Sequence, residues 1–196
     1  MAIKSKINTS SPFELHAITE DDMIKEILAL NSGKSVGGTI SIKALKLGAH
    51  ECASALTSIF NSCVIDQSSF PDELKLANVI PVHKKGSTSN KANYRPISLL
   101  PAISKVFILL FIAKQLNVYI NSWLSQYLCG FRKGYSSQYA LLNMINEWQK
   151  SLNSNGIVGA ILMDLSKAFD VLPHDLLIAK LAAYRFGTKT LHLIYN

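Results

Sequence analysis

Between Leu74 and Asn146 the chain contains no aspartate and no glutamate, although 13 acidic residues are spread over the rest of its 196 positions. Nine cations fall inside that stretch: Lys75, Lys84, Lys85, Lys91, Arg95, Lys105, Lys114, Arg132 and Lys133. A solvated surface normally mixes both signs, so the pattern reads either as a phosphate-facing lobe or as a basic face without a ligand. Cysteine is also scarce. Cys52, Cys63 and Cys129 are an odd set with no C-x-x-C spacing, which excludes a disulfide framework and a zinc site and predicts buried thiols in a reducing compartment. The greasiest run, Val106 to Ala113, falls well short of the roughly 20 residues that span a bilayer. The opening MAIKSKINTSSPFEL has no apolar signal core. These absences predict a soluble intracellular chain, cytoplasmic or nuclear, not secreted and with no membrane partner. The five histidines show no ligand spacing, and His83 and His174 read as structural or nucleic-acid-adjacent.

What is present is a composition that folds. Apolar residues make up 48% and charged residues 17%, which suits one domain or two small lobes. The 20 basic residues against 13 acidic ones leave a net charge of +7, favouring an anionic partner. The residues to about Leu15 are polar and unpatterned. Thr19 and Asp22 form an approximate capping box before Ile24, Ile27 and Leu28, predicting a helix to about Leu30. A second helix is predicted over Ala49 to Val64, with Ala53, Leu56, Phe60, Cys63 and Val64 inward. Leu76 to Val82 and Tyr94 to Leu99 read as strands around the tip HKKGSTSNKAN, and Pro81 and Pro96 make them edge or irregular strands.

Further on, Pro101 opens a mostly buried helix reaching Ile120. Ser136 to Leu152 forms another, with Leu141, Leu142, Ile145 and Trp148 on its apolar side and Ser154-Asn155-Gly156 as its stop. Ile157 to Met163 is a short continuous apolar run that predicts a strand buried on both faces, ending in Asp164. Helix returns from Pro173 to Tyr184, with a short one after it.

The sharpest motif is LMDLSKAFD, Leu162 to Asp170. A carboxylate at the end of a buried strand is held where a hard cation can meet it, although an aspartate capping the turn after a strand is the commoner meaning of this spacing. The whole string resembles the first catalytic motif of the reverse transcriptases of non-LTR (LINE-like) retrotransposons. VIPVHKKG (Val79 to Gly86) and NYRPISLLPAISKVF (Asn93 to Phe107) resemble that family's fingers. CGFRKGYSSQYAL (Cys129 to Leu141) is similar to its G-F-R-x-G-x-S-T segment, and HDLLIAKL (His174 to Leu181) to its palm helix. The order is that of the family.

The resemblance implies an α/β, helix-rich partial right-hand polymerase, with the fingers plus the first strand and helix of a palm. It implies residues 1–18 as a linker, 19–70 as a helical segment leading into the fingers, 71–156 as fingers and 157–196 as the start of a palm. The implied function is RNA-directed DNA polymerase, a nucleotidyltransferase using two Mg²⁺ ions, with RNA template, DNA primer and deoxynucleoside triphosphates as partners. Asp164 matches the catalytic, metal-binding aspartate, and the Leu165 carbonyl a second oxygen ligand. Phe169 matches the aromatic residue under the incoming sugar, where a flat apolar ring leaves a 2′-hydroxyl no partner. Arg95, with Lys84 or Lys85, matches the fingers cations that reach the triphosphate. Arg132, Lys133 and Lys91 match positions facing nucleic acid, while Asp170 reads as structural.

Departures from the family pattern are scattered. Thr39 and Ile108 stand where acidic residues are common, Ser137 where threonine is, Leu128 where glutamine is, and Arg185 where glycine follows the palm helix. A glycine there commonly takes a left-handed conformation that arginine tolerates poorly. The family's paired-aspartate hairpin and thumb do not occur in the 196 residues, so the expectation is a fragment inactive alone. The rival reading is a non-catalytic nucleic-acid-binding piece, from a decayed or domesticated copy. Gly33-Lys34-Ser35 looks like the end of a P-loop, but Leu28 stands where that motif begins with glycine, and a helix precedes it where a strand is required.

Overall fold

The computed structural model describes residues 12–121, 123–165 and 171–196. They form a helix-rich mixed fold with one two-stranded antiparallel sheet. The chain divides into two compact units, one of Met1–Tyr119 with His174–Asn196, the other of Ile120–Pro173.

In the first unit, α1 (Glu20–Ala29) starts where the sequence signals it. The Thr19 hydroxyl accepts the Asp22 N–H, and the Asp22 carboxylate accepts the Thr19 N–H, so two orphan donors of the first turn are satisfied reciprocally. Short α2 (Ile42–Leu47) is capped by Ser41 and leads through Gly48 into α3 (Ala49–Asn61), which runs on as a π-helical turn over Ser62–Gln67. Its inward residues Ala53, Phe60, Cys63 and Val64 are buried as expected, and Leu56 is half-buried against them.

The partner of these helices is α5 (Ala102–Phe107), continued by a π-helical stretch, Ile108–Leu116, and α6 (Asn117–Asn121). Val106, Phe107, Leu110 and Phe111 are buried, and ring pairs Phe60–Phe107 at 4.8 Å and Phe70–Phe107 at 4.7 Å join the elements. Each such side chain contributes about 1.5–3 kcal/mol by leaving water. Pro101 stands one residue earlier than expected, as the cap and not the first helical residue. Glu26 of α1, largely buried, is paired with Lys114.

The whole helix Ala102–Asn121 is 20 residues long with a mean hydropathy of 1.6 in its most apolar window. By length and composition it could cross a membrane, which corrects the expectation drawn from the eight-residue run. Counting an unbroken apolar run missed Ser104, Lys105, Lys114 and Gln115, which a helix tolerates on its other faces. One of those faces belongs to the core just described.

The segment Phe13–Ile18 is held as an extended strap. Gln115 accepts the His16 N–H at 2.7 Å and donates to the His16 carbonyl at 2.9 Å, and Asn61 does the same for Ile18 at 2.9 Å on both sides. Each side-chain amide thus satisfies a backbone donor and acceptor as a neighbouring strand would. Between them, Glu14 accepts from the Thr190 N–H at 2.9 Å and from its hydroxyl, capping α9 (Thr188–Tyr195) from afar. The Phe13 N–H donates to the Arg185 carbonyl, and the Gly187 N–H to the Phe13 carbonyl, both at 2.8 Å.

Helix α8 (His174–Ala183) ends at Arg185, whose φ is +61°. The Arg185 N–H donates to the Ala182 carbonyl at 3.0 Å and the Phe186 N–H to the Leu181 carbonyl at 3.2 Å. These two bonds make a Schellman motif with arginine in the place glycine fills most cheaply. The sequence comparison with the family predicted this strained position.

After the short α4 (Asp72–Lys75), the hairpin is β1 (Asn78–His83) with β2 (Tyr94–Leu99), paired from Asn78↔Leu99 to His83↔Tyr94. The Lys84 N–H donates to the Asn93 carbonyl, so Lys84 and Asn93 form a bonded pair and, counting back, Pro81↔Pro96 falls on a non-bonded one. Neither proline breaks a ladder bond. Both remove an outward donor from an edge, which discourages a third strand. The base of the hairpin is closed by the glycine turn, where the Gly37 N–H donates to the Leu100 carbonyl at 3.0 Å and Gly38 has φ +77°. A Cβ on Gly37 would stand 2.2 Å from the Leu99 carbonyl oxygen. The GKSVGG turn is therefore a packing joint, with Lys105 Nζ donating to the Ser35 carbonyl at 2.8 Å.

In the second unit, α7 (Ser137–Asn153) is capped by the Ser136 hydroxyl and ended by a second Schellman motif, with Asn155 at φ +58° and the Gly156 N–H on the Ser151 carbonyl at 2.8 Å. Its apolar side is not covered: Leu141, Leu142 and Ile145 are exposed and Trp148 is half-buried. The strand predicted over Ile157 to Met163 does not form. These residues have no regular structure, and Ile157 is 97% and Leu162 90% exposed. A strand exists only through the neighbour it pairs with, and among the described residues no other segment pairs with this one.

Candidate nucleic-acid interface

The nine cations of the acid-free stretch separate into two groups by what their side chains touch. Lys75 pairs with Asp72 at 2.7 Å, Lys114 pairs with Glu26, and Lys105 holds the Ser35 carbonyl. Arg132 donates through Nη1 to the carbonyls of Ser125 at 3.0 Å and Leu128 at 3.2 Å, and through Nε to Asn121 at 3.3 Å. Its guanidinium carbon lies 4.1 Å over the Tyr135 ring. These four are used in building the fold. The side chains of Lys84, Lys85, Lys91, Arg95 and Lys133 are exposed and have no partner among the described residues.

Strand alternation then sorts the hairpin residues. Val82 faces Arg95 in the register, and Lys84 lies two residues beyond Val82, so Arg95 and Lys84 share one face with Ile80 and Ile97. Lys85 follows at the tip. On the other face, Val79, Pro81, Tyr94 and Pro96 line a groove of about 460 Å³ with Thr88 and Lys91. The tip between them is built by its own polar groups: Tyr94 Oη donates to the Thr88 carbonyl at 2.8 Å, Asn93 Nδ2 to the Ser87 carbonyl at 2.8 Å, and His83 Nε2 lies 3.0 Å from the Gly86 carbonyl. Gly86 has φ +83° and a Cβ there would strike Asn93 at 2.7 Å. The hairpin cations thus project from a tip whose backbone is held. His83 is spent on that architecture.

The acid-free stretch does not make one lobe, because the division between the two units falls inside it, after Tyr119. Lys84, Lys85, Lys91 and Arg95 belong to the first unit, Arg132 and Lys133 to the second.

Asp164 and Leu165 lie in the irregular segment after Ile157, and both are exposed. Phe169 and Asp170 lie outside the described residues. No group of three or more His, Cys, Asp or Glu with metal-binding geometry occurs among the described residues. The Asp164 carboxylate and the Leu165 carbonyl offer at most three oxygens, where Mg²⁺ takes six ligands in an octahedron. By themselves these residues do not hold a pair of ions.

Of the thiols, Cys63 is buried, and desolvation pushes its titration up. Cys52 and Cys129 are half-buried, which corrects the expectation of three buried thiols. Signals that sequence reasoning missed are Gly37, Asn61, Gln115 and Glu14. The glycine-rich segment around Gly37 reads in sequence as a turn, without its close approach to Leu99, and the other three carry no local signature.

No protein-family model matches the chain. It is 30% identical over 192 residues, 94% of its length, to the RNA-directed DNA polymerase from mobile element jockey of Drosophila melanogaster. From the same organism, the probable RNA-directed DNA polymerase from transposon X-element is 29% identical over 84% of the chain, and that from transposon BS 28% over 91%. The chain spans about a fifth of the length of these curated relatives: 20%, 18% and 20%. The motif order and these matches agree that the chain belongs to the LINE-like, non-LTR retrotransposon reverse transcriptases, of which it represents one segment.

Proposed function

We propose that the chain supplies the fingers and the beginning of the palm to an RNA-directed DNA polymerase that works inside the cell on an RNA template, a DNA primer and deoxynucleoside triphosphates. Residues 71–156 serve as fingers, 157–196 as the start of the palm, 19–70 as the helical segment leading in and 1–18 as a linker. The observation that carries this reading is the set of five exposed cations whose side chains have no partner among the described residues, in a stretch without a carboxylate.

Each residue has a role in that reading. Arg95 and Lys84, on one hairpin face, and Lys85 at the tip donate to the triphosphate oxygens, where charge develops as the primer 3′-hydroxyl attacks the α-phosphate and pyrophosphate leaves. Lys91 and Lys133 contact the nucleic-acid backbone. Arg132 acts mainly by shaping the 121–135 loop, through its Nε donor on Asn121 and its Nη1 donors on Ser125 and Leu128. Phe169 excludes the 2′-hydroxyl. Asp164, with the Leu165 carbonyl, contributes to a Mg²⁺ site that needs further oxygen ligands; the ions, when bound, polarise the phosphates and the attacking hydroxyl.

Titration of labelled RNA or RNA–DNA hybrid against salt tests the interface. Affinity should fall steeply as salt rises, with little sequence preference. Changing Lys84, Lys85 and Arg95 together to alanine should flatten the logarithmic salt slope by roughly two to three, since each phosphate contact contributes about 0.7–0.9. An affinity indifferent to ionic strength, or untouched in the triple variant, contradicts the reading.

A further inference from the structure

We propose that the groove on the Tyr94 face of the hairpin is a nucleotide subsite for a single-stranded stretch of RNA, with one base lying against the Tyr94 ring and the proline floor and the adjoining phosphate on Lys91. The proposal rests on the nucleic-acid reading above, which supplies RNA as the template. It goes beyond that reading in assigning a base contact to the hairpin face opposite Arg95 and Lys84.

The floor of the groove is fixed by covalent rings and not by burial. Pro81 and Pro96 face each other across the two strands, Val79 lies two residues nearer the hairpin base on the same face, and all three are exposed, Val79 to 60%. Each proline ring locks its own φ, so the pair forms a stiff apolar surface that a ligand does not have to order. Tyr94 makes the wall. Its hydroxyl donates to the Thr88 carbonyl at 2.8 Å and its ring lies edge-on to His83 at 5.3 Å, which together hold a half-buried aromatic ring in one orientation. Lys91 stands on a single 3₁₀ turn, Lys91–Asn93, capped by the Asn90 side chain, which accepts the Ala92 N–H at 3.0 Å. The cation is thus carried by a built element of the tip while its own side chain stays exposed.

This lining selects among partners. The groove measures about 460 Å³, inside the roughly 300–1,000 Å³ of small-molecule sites. Among the described residues lining it Lys91 alone is charged, and no carboxylate occurs from Leu74 to Asn146, so its charge complement is an anion. A peptide strand needs backbone partners, and Pro81 and Pro96 have no N–H to offer it. Stacking needs only a face. An aromatic ring beside a cation that meets the backbone is the pairing by which single strands are held with little regard to sequence.

The test uses the full 196-residue chain and single-stranded RNA oligomers, in two arms. In the first, oligomers carrying 5-iodouridine are irradiated with the unaltered chain and the crosslinked residue is located by mass spectrometry, a measurement that asks no variant to fold. The crosslink should fall on Tyr94. In the second, Tyr94→Phe, Tyr94→Leu and Lys91→Ala are titrated against salt. Tyr94→Phe keeps the ring and should keep most of the affinity, whereas Tyr94→Leu should lose roughly 5- to 150-fold, as loss of one stacked base does. Its logarithmic salt plot should run parallel to the wild type, because stacking releases no counterion. Lys91→Ala should flatten the slope by about 0.7, the share of one single-strand phosphate. Crosslinks at none of the lining residues, full affinity in Tyr94→Leu, an unchanged slope in Lys91→Ala, or an equal loss in Tyr94→Leu when an oligoglutamate peptide replaces the RNA would overturn the assignment. If the wild type binds with a steep salt slope that the triple change of Lys84, Lys85 and Arg95 flattens, while the crosslinks fall elsewhere, only the groove assignment falls. If the wild type binds no RNA, the interface reading falls with it.

Discussion

Arg185 stands where the backbone asks for glycine, and replacing it should stabilise the chain. Its φ of +61° places the Cβ against its own carbonyl, a crowding that costs a residue with a side chain about 1–2 kcal/mol. Glycine removes that cost but gives up about 0.5–1 kcal/mol through the greater freedom of the unfolded chain. The balance favours Arg185→Gly by about 0.5–1 kcal/mol. The two Schellman bonds, to Ala182 and Leu181, are backbone bonds and survive the change, as does the Phe13 N–H on the Arg185 carbonyl. For a chain of this size the gain amounts to a rise in Tm of about 1–4 °C. Because the arginine side chain has contacts of its own, the cleaner comparison is Arg185→Ala with Arg185→Gly, which isolates the Cβ. Urea unfolding followed by circular dichroism would measure it. An alanine variant as stable as the glycine variant would refute the strain argument.

Other perturbations give outcomes of known sign. Gly37→Ala should destabilise by about 1–3 kcal/mol, since a Cβ at 2.2 Å from the Leu99 carbonyl oxygen forces the turn off the hairpin base; a thermal melt equal to wild type would contradict it. The Thr19 hydrogen bonds hold the Asp22 carboxyl below its ordinary value of 3.8, so the stabilisation it gives is present above that pH and is lost as pH falls through the lowered folded value. Asp22→Asn should therefore flatten stability against pH on the acid side, and an unchanged profile would exclude the cap as its source. The 196-residue chain purified alone should not extend a primer with Mg²⁺ or Mn²⁺, because no group of three or more His, Cys, Asp or Glu placed to hold a metal occurs among the described residues. Extension that depends on Asp164 would show that a second chain or another carboxylate completes the site.

What was legible in the sequence was what local physics decides. Thr19 and Asp22 cap a helix because their partners lie three residues apart, and Ser154-Asn155-Gly156 ends one because Asn155 tolerates a positive φ. The hairpin announced itself through its tip residues, and its prolines through the donors they lack. The strap was illegible because His16–Gln115 and Glu14–Thr190 join residues 99 and 176 positions apart. Ile157 to Met163 departs from the expected strand for the opposite reason. Its apolar run expresses a demand for burial, but the strand that would meet it is not a local property. At the site, charge pattern singled out nine cations and could not sort them, since Lys105, Lys114 and Arg132 are engaged by groups only folding brings near.

The central claim is that Asp164 is a metal-binding carboxylate of a polymerase, and RNA-templated primer extension by a full-length polymerase carrying this segment tests it most directly. Asp164→Asn should abolish incorporation while template affinity stays near wild type, because the carboxylate serves the metal and not the nucleic acid. In the same enzyme Phe169→Ala should admit ribonucleotides. Near-normal extension by Asp164→Asn would contradict the account.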